Sequence, residues 1–167
     1  MSNNSPQFHY IKLWLRSIDK PLVFPVAEAA WGRFRRSYRA KKNGFFIFAT
    51  RDGRTLALNL GYVQLAHVWE ESEEKVSLST DINSDVALYF PCRAVETFAA
   101  GDPVDLAKIF SALKPSEEDQ TLSFADADGK LVMFSTGDLM LFEAPTEVVE
   151  EGYRQIYYQE RGTLPPR

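Results

Sequence analysis

The sequence repeats itself: a block from Val26 to His67 aligns without a gap on the block from Asp102 to Glu143, 76 positions later. The identical pairs fall on apolar, turn and strand positions: Phe34/Phe110, Phe48/Phe124, Ala49/Ala125, Asp52-Gly53/Asp128-Gly129, Gly61/Gly137 and Leu65/Leu141. We therefore interpret residues 8–69 and 86–144 as two copies of one unit. Half of a 167-residue chain has a marginal core by itself, so we expect the copies to pack as one compact body with pseudo-twofold symmetry.

Each copy contains two predicted hairpins. Aromatic and β-branched runs flank Asp52-Gly53, a composition that favours strands on either side of a two-residue turn with glycine at positive φ. The same pattern surrounds Asp128-Gly129. An earlier hairpin opens each copy, within residues 11–24 and 86–98, and there the alignment needs a shift of one or two residues.

A helix lies between the hairpins of each copy. In the first copy the apolar residues that recur at helical spacing are Ala27, Ala30, Trp31, Phe34 and Tyr38. Asn43-Gly44 is the expected end of this helix. In the second, Asp102-Pro103 predicts an N-cap and first turn, with Pro115 as the stop. A third helix, over residues 146–162, has Thr146 as its expected cap and Gly162 beyond its end.

The predicted fold class is thus α+β, a tandem duplication of a β-β-α-β-β-β unit built from bent antiparallel sheets or small barrels, plus a C-terminal helix. Val149, Tyr153, Ile156 and Tyr157 form the apolar side of that helix, which we expect to pack across the two copies or onto another subunit. An acidic linker at 70–85 joins the copies, with a short strand possible at 75–79.

The sequence lacks the common motifs of catalysis and cofactor binding. It contains no phosphate-binding GxxxxGK[ST] loop, no GxGxxG and no GxSxG. Cys92, His9 and His67 cannot form a zinc cage, and Asp126–Gly129 has the spacing of a hairpin turn rather than of a calcium loop. We expect no cofactor, no metal and no enzymatic activity. With no leader-like start and no membrane-spanning apolar run, we also expect a soluble cytoplasmic protein.

Positive charge is the feature that points to a function. Positions 33 to 54 contain one acidic residue and eight cationic residues, although the net charge of the chain is −4. The cationic residues are Arg33, Arg35, Arg36, Arg39, Lys41, Lys42, Arg51 and Arg54. This window predicts a non-enzymatic binding or assembly module for an anionic partner, either nucleic acid or an acidic protein. Alternatively, these residues form an ordinary solvated face, or the acidic linker or tail neutralises them.

Two further hypotheses stay open from the sequence. One is a small-molecule-binding protein or enzyme with a pocket between the two repeats, since clefts between packed units are common ligand sites. The other is a homo-oligomer formed through the C-terminal helix, which is compatible with either function.

Overall fold

The computed structural model describes residues 7–40, 44–71, 85–113 and 119–162. Within these residues the chain is α+β, with mostly antiparallel sheets. The strands are β1 (Phe8–Leu15), β2 (Leu22–Val26), β3 (Phe45–Ala49), β4 (Arg54–Asn59), β5 (Val63–Glu71), β6 (Asp85–Tyr89), β7 (Glu96–Ala99), β8 (Thr121–Ala125), β9 (Leu131–Ser135) and β10 (Leu141–Pro145). The α-helices are α1 (Glu28–Arg39), α2 (Pro103–Ala112) and α3 (Thr146–Arg161), and 3-10 helices span Leu60–Tyr62 and Thr136–Asp138.

Several predicted features lie outside the described residues. They are Lys41 and Lys42, the helix stops at Asn43 and Pro115, and most of the acidic segment, including the strand expected at 75–79. The two ends of the acidic segment are described, and they belong to strands. Glu70 and Glu71 end β5, and Asp85 begins β6.

A five-stranded sheet, which we call the central sheet, has the order β3-β4-β10-β6-β7. A three-stranded sheet has the order β2-β1-β5, and β8 pairs with β9. Because side chains alternate along a strand, neighbouring residues of the central sheet serve two different cores. Leu58 and Leu141 belong to the core with α1, whereas Ala57 and Phe142 belong to the core with α2.

The same order of elements occurs twice, and local backbone hydrogen bonds recur with it. Thr50 donates its N–H to Arg54, as Asp126 does to Lys130. β1–β2 and β6–β7 pair alike, with Ile11 opposite Phe24 and Val86 opposite Phe98. One pairing does not recur, because β4 pairs with β10 whereas β9 pairs only with β8 among the described strands. The central sheet therefore contains strands from both halves of the chain.

The turns between β3 and β4 and between β8 and β9 are longer than predicted. Thr50 bonds to Arg54 and Gly53 bonds back to Thr50, which leaves a three-residue loop instead of the two-residue turn. Gly53 and Gly129 have φ values of 88° and 79°. Asp-Gly suits this loop as well, since a type I turn followed by a left-handed glycine also connects hairpins. The turn positions were correct, and the predicted turn length was wrong.

The predicted apolar stripe of α1 is confirmed in part, because Ala30 and Phe34 are buried whereas Ala27 is the exposed N-cap residue. Asp102 caps α2 by accepting the Val104 N–H at 2.9 Å. Thr146 is not the cap of α3, because Pro145 holds that position and the Thr146 hydroxyl bonds to Thr55.

α3 packs mainly on α2, within the C-terminal half. Gly152 is buried there, and a Cβ added to it would lie 2.0 Å from the Pro103 carbonyl oxygen. The backbones of the two helices therefore approach closely at this glycine, which the apolar stripe did not reveal. Of that predicted stripe, Val149 is buried, whereas Tyr153 is 42% exposed.

Candidate functional site

Three of the predicted arginines form one exposed face of α1, which we call the basic face: Arg33, Arg36 and Arg39. At about 100° per residue, they lie within an arc of about 120° opposite Phe34, which is buried in the core. The amphipathic pattern of the helix thus fixes their outward position. Among the described residues, none of the three has a carboxylate within ion-pair distance.

Two arginines of α1 lie over aromatic rings. The Arg35 guanidinium is 4.6 Å from the Trp31 ring centre, and that of Arg33 is 5.4 Å from Phe46. Contacts of this kind restrict the side chains without neutralising their charge. Arg35, which is half-buried, therefore borders the basic face rather than belonging to it.

The two arginines of the β3–β4 hairpin lie in different environments. The Arg51 guanidinium is 4.3 Å from the Phe8 ring centre, and its side chain is exposed. Arg54 instead forms an ion pair with Glu143, whose side chain is 1% exposed. Since Arg54 already has an anionic partner inside the fold, it does not belong to the basic face.

The ion pair also affects a neighbouring tyrosine. The Tyr89 hydroxyl lies 3.5 Å from the Glu143 carboxylate. Burial raises the pKa of Tyr89 above its ordinary value, and the positive charge of Arg54 lowers it by a smaller amount. This cluster is a structural element between the two cores, formed where β4 meets β10.

A contact that the sequence did not predict joins the acidic segment to the first strand. His9 is buried, its Nε2 lies 3.8 Å from the Glu70 carboxylate, and its ring is 5.0 Å from that of Trp31. His9 and Glu70 are opposite each other in the β1–β5 pair, and this register was not readable from the sequence. In the described part of the acidic segment, Glu70 contacts a histidine and no arginine.

A cleft of about 670 Å³ was also missed by sequence reasoning. It lies within the C-terminal half, between the β6–β7 hairpin and β9. Its apolar lining comes from Leu88, Phe90, Phe98, Val132, Met133 and Phe134, and its charged lining from Arg93, Glu96 and Asp138. At one junction between the two halves, where β4 meets β10, the strand residues are mostly apolar and buried, and the cleft lies outside that junction.

Asp119, which lies shortly before β8, holds the turn beside one end of this cleft. Asp119 accepts hydrogen bonds from the Ser135 hydroxyl at 2.7 Å and from the Gly137 N–H at 2.8 Å. These bonds favour the ionised carboxylate and hold the pKa of Asp119 below its ordinary value. The carboxylate thereby fixes the turn that carries Asp138 into the cleft wall.

The described residues contain no group of three or more His, Cys, Asp or Glu side chains placed to hold a metal ion. No helix in the described ranges is both long and apolar enough to cross a bilayer. Comparisons with protein-family models, with curated proteins and with solved structures gave no match.

Proposed function

We propose that this protein is a non-enzymatic binding module that engages an acidic protein segment through the basic face of α1. The observation that carries the proposal is the state of Arg33, Arg36 and Arg39. All three are exposed, and none has a carboxylate partner in the described part of the chain. Three cations on one rigid helix form a local positive surface on a protein whose net charge is −4.

The spacing of the three arginines suits a partner with regularly placed acids. Residues three apart on a helix rise about 4.5 Å along its axis and are neighbours on its surface. Glutamate or aspartate side chains three or four residues apart on a partner helix have the same spacing. Arginine forks also bind carboxylates with two parallel hydrogen bonds.

The aromatic residues of α1 favour an acidic protein over single-stranded nucleic acid. Binding of single-stranded nucleic acid usually combines cations with aromatic rings on which bases stack. Phe34 is 1% exposed, and the Tyr38 ring stacks on it while its hydroxyl donates to the Val63 carbonyl. Those rings are therefore committed to the core, and the basic face offers charge without a stacking platform.

The test compares a labelled 20-residue poly-L-glutamate peptide with labelled 20-nucleotide poly(U) RNA by fluorescence anisotropy at two salt concentrations. The variant Arg33→Gln/Arg36→Gln/Arg39→Gln should bind the peptide roughly tenfold more weakly, since each exposed ion pair contributes about 0.2–1 kcal/mol. The matched control Lys20→Gln/Lys108→Gln/Lys130→Gln removes three exposed cations away from α1 and should bind like wild type.

Three outcomes oppose the proposal. No binding of either probe at low salt would exclude it. Equal losses of peptide affinity in the two triple variants would show that binding depends on the net charge of the protein and not on the basic face. Preferential binding of the RNA, with a salt slope that becomes shallower in the α1 variant, would assign the face to nucleic acid instead.

We further propose that the two halves arose by duplication and are related by a pseudo-twofold axis. Recurring backbone hydrogen bonds support this, and so do the turns before β2 and β7, where Ser17 and Cys92 have φ values of 67° and 62°. These two residues also contact each other, with 3.7 Å between the sulfur and the hydroxyl oxygen, as expected for equivalent positions near an axis. An experimental structure in which the halves fail to superimpose would refute the duplication.

Self-association through α3 stays a separate prediction. Tyr153 and Tyr158 on this helix are 42% and 51% exposed, so they are available for a contact. Light scattering on Tyr153→Ser/Tyr158→Ser tests it, and an unchanged mass relative to wild type would argue against α3 as the contact.

A further inference from the structure

The cleft of the C-terminal half occupies a place that is filled in the N-terminal half. Leu88 and Glu96 are opposite each other in β6 and β7, as Leu13 and Leu22 are in β1 and β2. Leu13 in β1 and Leu88 in β6 are both buried. At the second position, however, the N-terminal half has a leucine that packs against its core, and the C-terminal half has an exposed glutamate.

Two more positions show the same exchange of an apolar residue for a charge. Ile18 follows the positive-φ residue of its hairpin turn and packs on the core, whereas Arg93 follows the corresponding residue and is exposed. Tyr62 ends the 3-10 helix before β5 and packs on the same core. Asp138 ends the matching 3-10 helix and is exposed.

The three exchanges meet at one place, because Arg93, Glu96 and Asp138 all line the cleft. None of them forms an ion pair with another described residue. In the N-terminal half, Ile18, Leu22 and Tyr62 pack on the core at this place. In the C-terminal half, one cation and two anions take their positions, and these charges have no ion-pair partner among the described residues.

The floor of the cleft is suited to an apolar group of moderate size. A volume of about 670 Å³ falls in the range typical of small-molecule sites. Phe90, Phe98 and Val132 are half-buried, so part of each remains open to a ligand. Met133 is 64% exposed, and its flexible thioether can adapt to different ligand shapes.

We propose that this cleft binds a small zwitterion with an apolar body, the chemistry of a hydrophobic amino acid. Its ammonium group pairs with Glu96 and Asp138, and its carboxylate pairs with Arg93. Its side chain covers the aromatic floor formed by Phe90 and Phe98. The site is separate from the basic face of α1, and the proposal does not depend on the function proposed for that face.

The test follows amide shifts by two-dimensional NMR during titration with three probes: L-phenylalanine, phenethylamine and 3-phenylpropanoate. L-Phenylalanine should cause saturable shifts in residues 88–98 and 132–138, and each probe that lacks one charged group should bind roughly tenfold more weakly. Glu96→Gln should weaken L-phenylalanine and phenethylamine but leave 3-phenylpropanoate unchanged.

A second variant copies the N-terminal half into the cleft. Glu96→Leu/Asp138→Tyr should retain the thermal midpoint of wild type and lose binding of L-phenylalanine. The matched control Glu147→Leu/Asp128→Tyr places the same residues at exposed positions outside the cleft and should bind normally.

The proposal is overturned if L-phenylalanine causes no saturable shift up to about 10 mM, a weak affinity even for a small ligand. It is equally overturned if either single-charge probe binds as tightly as the zwitterion, or if the filled variant folds and still binds. Loss of poly-L-glutamate binding, by contrast, concerns only the basic face, so failures of the two proposals are distinguishable.

Discussion

Replacement of Arg54 should destabilise the protein more than replacement of its partner Glu143. The side chain of Glu143 is 1% exposed, whereas that of Arg54 is 32% exposed. Arg54→Met leaves a carboxylate in the interior without its counter-charge, and the Tyr89 hydroxyl at 3.5 Å is a weak substitute. Glu143→Leu leaves a guanidinium that can turn toward water.

The magnitudes follow from this difference in burial. Breaking a buried ion pair so that one charge stays inside costs about 3–5 kcal/mol, which we expect for Arg54→Met. For Glu143→Leu we expect about 1–2 kcal/mol, because the remaining charge is only partly desolvated. The double variant replaces the pair with apolar groups and should lie within about 1–2 kcal/mol of wild type, which corresponds to a coupling energy of about 4 kcal/mol.

Urea denaturation of the four proteins at pH 7 measures these differences directly. Equal costs for the two single substitutions, or additive costs in the double variant, would refute the reasoning about burial.

Two other predictions concern the close helix contact and the loop before β8. Gly152→Ala should cost about 1–3 kcal/mol in urea denaturation, because the new Cβ would lie 2.0 Å from the Pro103 oxygen. Gly32→Ala in α1 is the control, and it should be neutral or stabilising because its nearest neighbour is a flexible arginine tip at 3.4 Å. Asp119→Asn should remove a contribution that is present above pH 4 and is lost as the pH falls through the lowered pKa of this group. The free energies of unfolding of wild type and Asp119→Asn should therefore converge in acid. A difference between them that stays constant from pH 6 to 2.5 would contradict this role of Asp119.

The local elements of the fold were readable from the sequence because their causes are local. Ile11, Leu13 and Leu15 alternate with less buried residues, as a strand with one core-facing side requires. Asp102-Pro103 marked the start of α2 because capping needs only adjacent residues. Turn length was missed, since Asp-Gly suits more than one hairpin loop.

The long-range pairing was not readable, and it decides much of the candidate site. Alternation shows which side of a strand is buried but does not show which distant strand is its neighbour. The pairing of β4 with β10 brings Glu143 to Arg54, and so removes one predicted cation from the surface. The position of the arginines on α1 was predictable, because the helical stripe dictates which side faces the core.

The cleft escaped sequence reasoning for a different reason. Glu96 in an edge strand and Asp138 in a turn are ordinary surface residues when each is considered alone. The residues at the matching positions of the other half are Leu22 and Tyr62. The Tyr62/Asp138 match lies in the ungapped alignment of the two blocks, but the Leu22/Glu96 match rests on strand register, which the sequence does not show.

The central sheet also has a consequence for how the chain matures during synthesis. β4 is complete when residue 59 has been made, yet its neighbour β10 ends at residue 145. Since Met140 and Leu141 complete the core around α1, that core stays unfinished until these two residues have been synthesised. Until then the nascent chain has an open edge at β4, the kind of template on which strands of other chains assemble. Pairing of strands so far apart in sequence is slow. The yield of folded protein in cells should therefore depend on chaperones that protect the unfinished chain, and not only on the stability of the finished fold.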